Sequence, residues 1–411
     1  NPLEESGGDG GMIKRTLQEL CLNITDGKHG DCENEENSGY YFISCKDIFD
    51  GQINYKNARQ ITKADFEETH KRTMLEVDDI LLTNSGTIGR MAFVTDREAT
   101  TKTTFQKSVA IIKPDKQKVL PRYLYYQLQN CVPQFINSSN GSAQKNLLLS
   151  TMRTFQIEIE ENCEKQEKIA NTLSAYDDLI ENNQKQIKLL EEVAQRLYKE
   201  WFVDLRFPGH ETTPIVDGVP EGWKQDTINS IIELQSGFAF KSADFCDSGT
   251  YKIVTIKNVQ DGLFDGKNVS KINDIPARMP PHCRLNDGDI LLSLTGNVGR
   301  VCVVNGQDYL LNQRVAKIKS DYPVYAYCLF RSSDMFTSMG NLANGAAQQN
   351  LSPIKTGQIK TLIPSVSLLI RFEVTASAYL KQMLNLNKQI ELFQQARDRL
   401  LPKLMNGEIE V

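Results

Sequence analysis

The sequence predicts an α+β chain in which two mostly β domains alternate with two long helices that pair as a coiled coil, antiparallel being favoured over parallel by the pseudo-two-fold symmetry of an internal repeat, although the linker permits either. The first observation behind this is the repeat itself. Asp79 to Arg90, DILLTNSGTIGR, matches Asp289 to Arg300, DILLSLTGNVGR, at an offset of 210. The match extends from Lys46–Gly51 (KDIFDG) against Lys257–Gly262 (KNVQDG) to Gly141–Leu147 (GSAQKNL) against Gly345–Leu351 (GAAQQNL). Ser174-Ala175-Tyr176 and Lys185-Gln186-Ile187 then recur as Ser377-Ala378-Tyr379 and Lys388-Gln389-Ile390, at an offset of 203. A self-match this long and this ordered makes the chain two copies of one unit.

The second observation is that each unit changes character partway. Short β-branched and aromatic runs such as Tyr40–Ile43, Ile80–Leu82, Ala110–Ile112 and Ile253-Val254 lie between Gly, Asn and Asp turns, with a helix expected over Pro121–Leu128. The stretches that follow have almost no Gly or Pro and are rich in Gln, Glu, Lys, Leu and Ala, which reads as long helix.

The third is a heptad seam. Ile169, Leu173, Tyr176, Ile180, Asn183, Ile187, Leu190, Ala194, Leu197 and Trp201 follow alternating steps of four and three. Phe372, Ala376, Tyr379, Met383, Leu386, Ile390, Phe393, Arg397, Leu400 and Leu404 fill the same positions in the second copy. Asn183 and Arg397 are the polar members, of the kind that set register. Pro402 is expected to kink or end the second helix.

In chain order, Asn1 to Gly11 reads as an expression remnant ahead of a start at Met12. The first β domain then spans 12–162, the first helix 163–202, a linker 203–222, the second β domain 223–364, the second helix 365–405 and a tail 406–411.

Composition excludes several classes. The 411 residues carry a net charge of −5, are 40% hydrophobic and 24% charged, and have a mean hydropathy of −0.40, so intrinsic disorder is excluded. No apolar run approaches the roughly 18–20 residues of a membrane span, and a cytoplasmic location is expected. Nine cysteines without a C-x-x-C pair read as reduced thiols, and four dispersed histidines offer no metal-ligand spacing. No phosphate-binding loop, methyltransferase tetrapeptide or H-E-x-x-H is present, so no catalytic residue and no bound metal are expected. Gly237–Ser242 (GFAFKS) lacks the second glycine of a phosphate loop, and Asp78-Asp79 reads as a turn before a strand.

The duplicated halves, the lead-in Pro220-Glu221-Gly222-Trp223, the DILL-x-x-x-G-x-x-G-R turn, the A-x-x-N-L segment and the helix pattern QEKIANTLSAYDDLIENN together resemble the specificity (S) subunit of a type I restriction-modification enzyme. The resemblance covers nearly the whole chain after Met12, and its specificity lies in the ordered duplication. One departure is Ile157–Asn162, where the family has a proline before the first helix; the second copy keeps Pro364. The resemblance implies that the β domains are target-recognition domains, each reading half of a split sequence in double-stranded DNA. It implies that the helices are a spacer docking two methyltransferase (M) subunits, to which restriction (R) subunits join. The chain itself would catalyse nothing, with S-adenosylmethionine, ATP and Mg expected on partner subunits only. A coiled-coil scaffold with duplicated interaction domains that binds no DNA is the competing reading.

Three segments recur with residues suited to phosphates and base edges. The glycine turn supplies Asn84, Ser85, Thr87 and Arg90, repeated as Thr295, Asn297 and Arg300. Lys102, Thr103, Thr104, Gln106 and Lys107 correspond to Asn312, Gln313 and Arg314. Gln144, Lys145 and Asn146 correspond to Gln348, Gln349 and Asn350. From Thr83 to Ser150, nine basic residues against three acidic ones give a local excess of six. Ile169 to Trp201 spans about 48 Å of helix, roughly 14 base pairs of duplex, so the helix pair is expected to act as a ruler between half-sites.

Overall fold

The computed structural model describes residues 11–139, 146–267, 269–343 and 350–411. The chain forms two compact units, Asn1–Asp178 with Phe393–Val411, and Leu179–Leu392. The division cuts across both long helices, so each unit holds one β domain with part of each helix.

In the first unit, Met12–Thr16 pairs antiparallel with Gln156–Glu160 and ties the start of the β domain to its end. A four-stranded antiparallel sheet runs in the order Cys21–Asp26, Val109–Pro114, Ile80–Thr83, Met91–Phe93. A three-stranded sheet orders Arg59–Gln60, Tyr41–Ile43 and Thr103–Phe105, the last two parallel. The near-continuous apolar runs follow from burial on both faces. Ile80, Leu82, Ala110 and Ile112 pack on the helix Pro121–Asn130, while Leu81, Val109 and Ile111 join Ile43 and Phe105 in a second core.

The second unit repeats the scheme. Lys224–Thr227 pairs with Lys360–Ile363, and the four-stranded order is Ile232–Ser236, Val315–Ser320, Ile290–Ser293, Val301–Val303. The third sheet orders Ser270–Ile272, Tyr251–Val254, Tyr309–Leu311 and Arg284–Leu285, with the middle pair again parallel. Ile290 and Leu292 face one core while Leu291 faces the other, as Ile80, Leu82 and Leu81 do.

The first long helix runs Cys163–Tyr198 and continues as a π turn over Lys199–Val203; the second runs Val366–Met405. Where the first copy lacks the proline, Asn162 caps the helix, its Oδ1 accepting from the amides of Glu164 (2.9 Å) and Lys165 (3.2 Å). In the first unit the start of the first helix meets the end of the second. Ile169, Ala170 and Leu173 share a core with Leu404 and Met405, and the Tyr176 and Phe393 rings lie 6.4 Å apart. In the second unit the end of the first helix meets the start of the second, with Tyr198, Trp201 and Phe202 packed around Phe372. The pairing is antiparallel, and every residue of the two seams is buried or half-buried.

Pro402 does not end the second helix, which continues to Met405. Only one turn remains beyond it, and burial of Leu404 and Met405 against the first helix favours completing that turn over stopping at the proline. All nine cysteines are unpaired thiols; five are buried and Cys163 is exposed. Among the described residues no helix is long and apolar enough to cross a membrane.

Candidate nucleic-acid interface

The glycine turn joins Ile80–Thr83 to Met91–Phe93, and a hydroxyl residue at the strand end closes it. Thr83 Oγ1 accepts from the Arg90 amide (2.9 Å) and the Thr83 carbonyl from the Gly89 amide (3.0 Å). Ser293 does the same for Arg300 (2.9 Å) and Gly299 (3.0 Å). Gly86, Gly89, Gly296 and Gly299 all take positive φ, between 71° and 94°, which a side chain would strain. Because the amides of Gly89 and Arg90, like those of Gly299 and Arg300, are engaged within the turn, they are not offered to a phosphate. The turn presents side chains instead: Thr87, Arg90 and Asn297 are exposed, and Ser85, Thr295 and Arg300 half-buried.

Main-chain hydrogen bonds lace the three recurring segments into one loop cluster in each unit. The Asn84 amide donates to the Ser108 carbonyl (3.0 Å), and the Asn84 carbonyl accepts from Leu147 (2.8 Å), bringing Asn146 beside Ser85. Leu294 makes the same two bonds, to Arg314 (3.0 Å) and from Leu351 (2.7 Å), bringing Asn350 beside Thr295. Gln106 is half-buried, Lys107 and Asn146 exposed; Asn312 is half-buried, Gln313, Arg314 and Asn350 exposed.

Several predicted contact residues are not on this surface. Thr103 and Thr104 are wholly buried: the Thr103 hydroxyl donates to the Ala99 carbonyl (2.7 Å), and the Thr104 hydroxyl lies 3.3 Å from that of Thr73 on the helix Lys63–Thr73, which covers the strand. Asn84 is also buried, its side-chain oxygen without a partner, because its main chain is the hub of the cluster. Lys102 is exposed, but the three-residue strand Thr103–Phe105 separates it from Gln106, four residue steps and roughly 13 Å away. Gln144, Lys145, Gln348 and Gln349 lie outside the described residues.

The local charge excess is likewise divided. Lys113 is held by Asp79 (2.7 Å) and Glu76 (3.1 Å), Lys116 by Asp78 (2.6 Å) and Lys118 by Asp115 (3.3 Å). Arg122 lies 4.6 Å from the Phe93 ring centroid and 3.7 Å from Asp177. Arg90 and Lys107 stay at the loop cluster and, among the described residues, form no ion pair with a carboxylate; the same holds for Arg314.

Two further segments complete each cluster. Lys28 pairs with Gln106 through the bonds Lys28 N to Phe105 O (2.8 Å) and Lys107 N to Lys28 O (3.1 Å), and Phe238 pairs with Asn312 through the equivalent two (both 2.9 Å). The glycine before each permits the approach, since a Cβ would lie 2.0 Å from Phe105 O at Gly27 and 2.1 Å from Asn312 O at Gly237. The GFAFKS segment thus continues directly from the strand Ile232–Ser236 and packs on the cluster. The other segment carries Lys46 or Lys257. A Cβ on Gly86 would lie 3.3 Å from Cys45 Sγ, and one on Gly296 3.1 Å from Ile256 Cδ1. The KDIFDG/KNVQDG repeat was the signal available for it.

Two β domains of one topology, each ending in a polar, cation-bearing loop cluster, define a class of duplicated recognition protein. The chain belongs to the type I restriction modification DNA specificity domain family, whose sequence profile matches residues 13–192 and 220–365. It is 26% identical over 388 residues to the type I restriction enzyme MjaIX specificity subunit of Methanocaldococcus jannaschii, covering 90% of this chain and 87% of that one. The MjaVIII specificity subunit of the same organism is 24% identical over 394 residues, with 92% and 88% covered. Among solved structures, the S subunit of a type I restriction-modification system from M. genitalium shares the fold, with a TM-score of 0.53, 16% identity and 97% of both chains covered.

Proposed function

We propose that this specificity subunit reads a bipartite target in double-stranded DNA, one half-site per loop cluster, across an unread gap. The observation that carries the reading is the duplication of one hydrogen-bonded loop framework with different polar side chains on each copy. Such a pair suits two unlike half-sites, whereas a scaffold has no use for the difference. The paired helices set the gap and dock two methyltransferase subunits, to which restriction subunits join. Catalysis, with S-adenosylmethionine, ATP and Mg, resides on those cytoplasmic partners.

Binding of the assembled complex to duplex DNA, measured against salt, tests the core of this. Contacts to phosphate release counterions and make affinity fall steeply as salt rises. A salt-independent or absent interaction favours the scaffold reading. Deleting one heptad from each helix should change the gap and leave the half-site letters alone; altered letters with an unchanged gap rule out the ruler.

A further inference from the structure

The two loop clusters are held by equivalent main-chain bonds, yet only some of their side chains are kept. Lys46 and Lys257, Arg90 and Arg300, and Asn146 and Asn350 are the same residue in both copies. Gln106-Lys107-Ser108 becomes Asn312-Gln313-Arg314. The backbone course does not account for that change, because the bonds from Asn84 to Ser108 and from Leu294 to Arg314 are the same 3.0 Å contact. What changes is the pattern of donors and acceptors presented. Phosphates are alike in every half-site and bases are not, so a duplicated reader retains what meets phosphate and varies what meets base edges.

Lys46 and Lys257 fit the retained role. Both are exposed, and among the described residues neither forms an ion pair. Both sit in the segment on which the glycine turn packs, and the repeated arginine bonds that segment next to each of them. Arg90 Nη1 donates to the Cys45 carbonyl (3.3 Å), whereas Arg300 donates to the Gln260 side chain, whose amide donates to the Lys257 carbonyl (2.6 Å). The Cys45 amide in turn donates to Ser108 Oγ (3.2 Å), linking the residue before Lys46 to the variable triplet.

Building on the DNA-reading function above, we propose that Lys46 and Lys257 hold phosphates without regard to sequence, and that residues 106–108 and 312–314 choose the letters of their respective half-sites. The test uses the full chain co-expressed with its methyltransferase subunits and a randomised duplex library. The triple exchange Gln106→Asn, Lys107→Gln, Ser108→Arg should change the letters of one half-site, with preference for the original ones falling on the order of tenfold. The other half-site and the gap should stay as they are. Lys107→Gln alone leaves the Cys45–Ser108 bond intact and should relax the same half-site, so it decides the matter if the triple variant unfolds. Lys46→Ala and Lys257→Ala should weaken binding to all duplexes alike and make the log–log salt slope shallower by about one, with the letters unchanged. Altered letters in Lys46→Ala, or unchanged letters in a folded Lys107→Gln and triple variant, overturn the proposal. A wild-type complex that selects no sequence at all overturns the DNA-reading function instead.

Discussion

Arg397 Nη1 lies 2.6 Å from Asp177 Oδ1, joining the second long helix to the first across 220 residues of sequence within one compact unit. Asp177 also accepts from the Tyr126 hydroxyl at 2.5 Å, so the pair clamps the β-domain helix Pro121–Asn130 onto the helix seam. Burial works against the Arg397 charge, but the Asp177 carboxylate and its hydrogen bond outweigh it, and the guanidinium is held more firmly protonated than usual. The other unit has a clamp of the same kind, in which Arg331 lies 2.5 Å from Glu191 and 2.7 Å from Asp261 while the Tyr327 hydroxyl donates to Glu191 (2.9 Å). Removing one partner of such a largely buried pair strands the other. Arg397→Leu should therefore lower the unfolding free energy by about 2–3 kcal/mol, read from the urea midpoint. A change within 0.5 kcal/mol, the usual range for an ordinary surface site, contradicts the clamp.

In the second unit the buried seam residue Asn183 donates through Nδ2 to Oε1 of Gln389, an exposed residue flanking the seam, at 3.0 Å. A buried polar residue in an apolar seam specifies register at some cost in stability. The double change Asn183→Leu, Gln389→Leu should raise the unfolding free energy by about 1 kcal/mol while lowering amide-exchange protection around it as other registers become accessible. Lower stability in the double variant sinks this reading.

Gly237→Ala would place a methyl 2.1 Å from the Asn312 carbonyl, and Gly27→Ala one 2.0 Å from that of Phe105. Neither neighbour is a flexible side-chain end, so the strand must shift. A loss of about 1–3 kcal/mol is expected for each, together with loss of preference at one half-site only. Thermal melts and library selection check the two halves of the prediction, and equal damage to both half-sites contradicts the second.

Burial pushes the Asp79 carboxyl up to about 6, overcoming the hydrogen bond from Lys113. A folded-state value raised above the unfolded one means the native protein keeps the proton longer. The associated stability is present below about pH 4 and is lost as pH rises through about 6, an effect of roughly 3 kcal/mol. Asp79→Asn should flatten that part of the stability–pH curve. A wild-type curve that rises between pH 4 and 6 by more than the Asn variant's rules this out.

Much of the architecture was legible in the chain because its signals are periodic or repeated. The heptad from Ile169 to Trp201 and its copy from Phe372 to Leu404 place their residues on the buried seam, since helical periodicity alone puts them on one face. The site was legible only as a set of segments. Thr103 and Thr104 have the residue types of a groove-reading strand, and nothing local distinguishes them from surface residues; the helix Lys63–Thr73 that covers them is brought there by the fold. Lys113, Lys116 and Lys118 count toward the local basic excess until their carboxylate partners, over 30 residues away in sequence for Lys113 and Lys116, come into contact.

By itself, then, the sequence determined the duplication, the alternation of β domain and helix, and the seam, because each rests on spacing along the chain. Only the tertiary structure decided which polar residues remain free to meet DNA. That depends on which carboxylates, helices and carbonyls reach them first, and those neighbours are chosen by long-range packing.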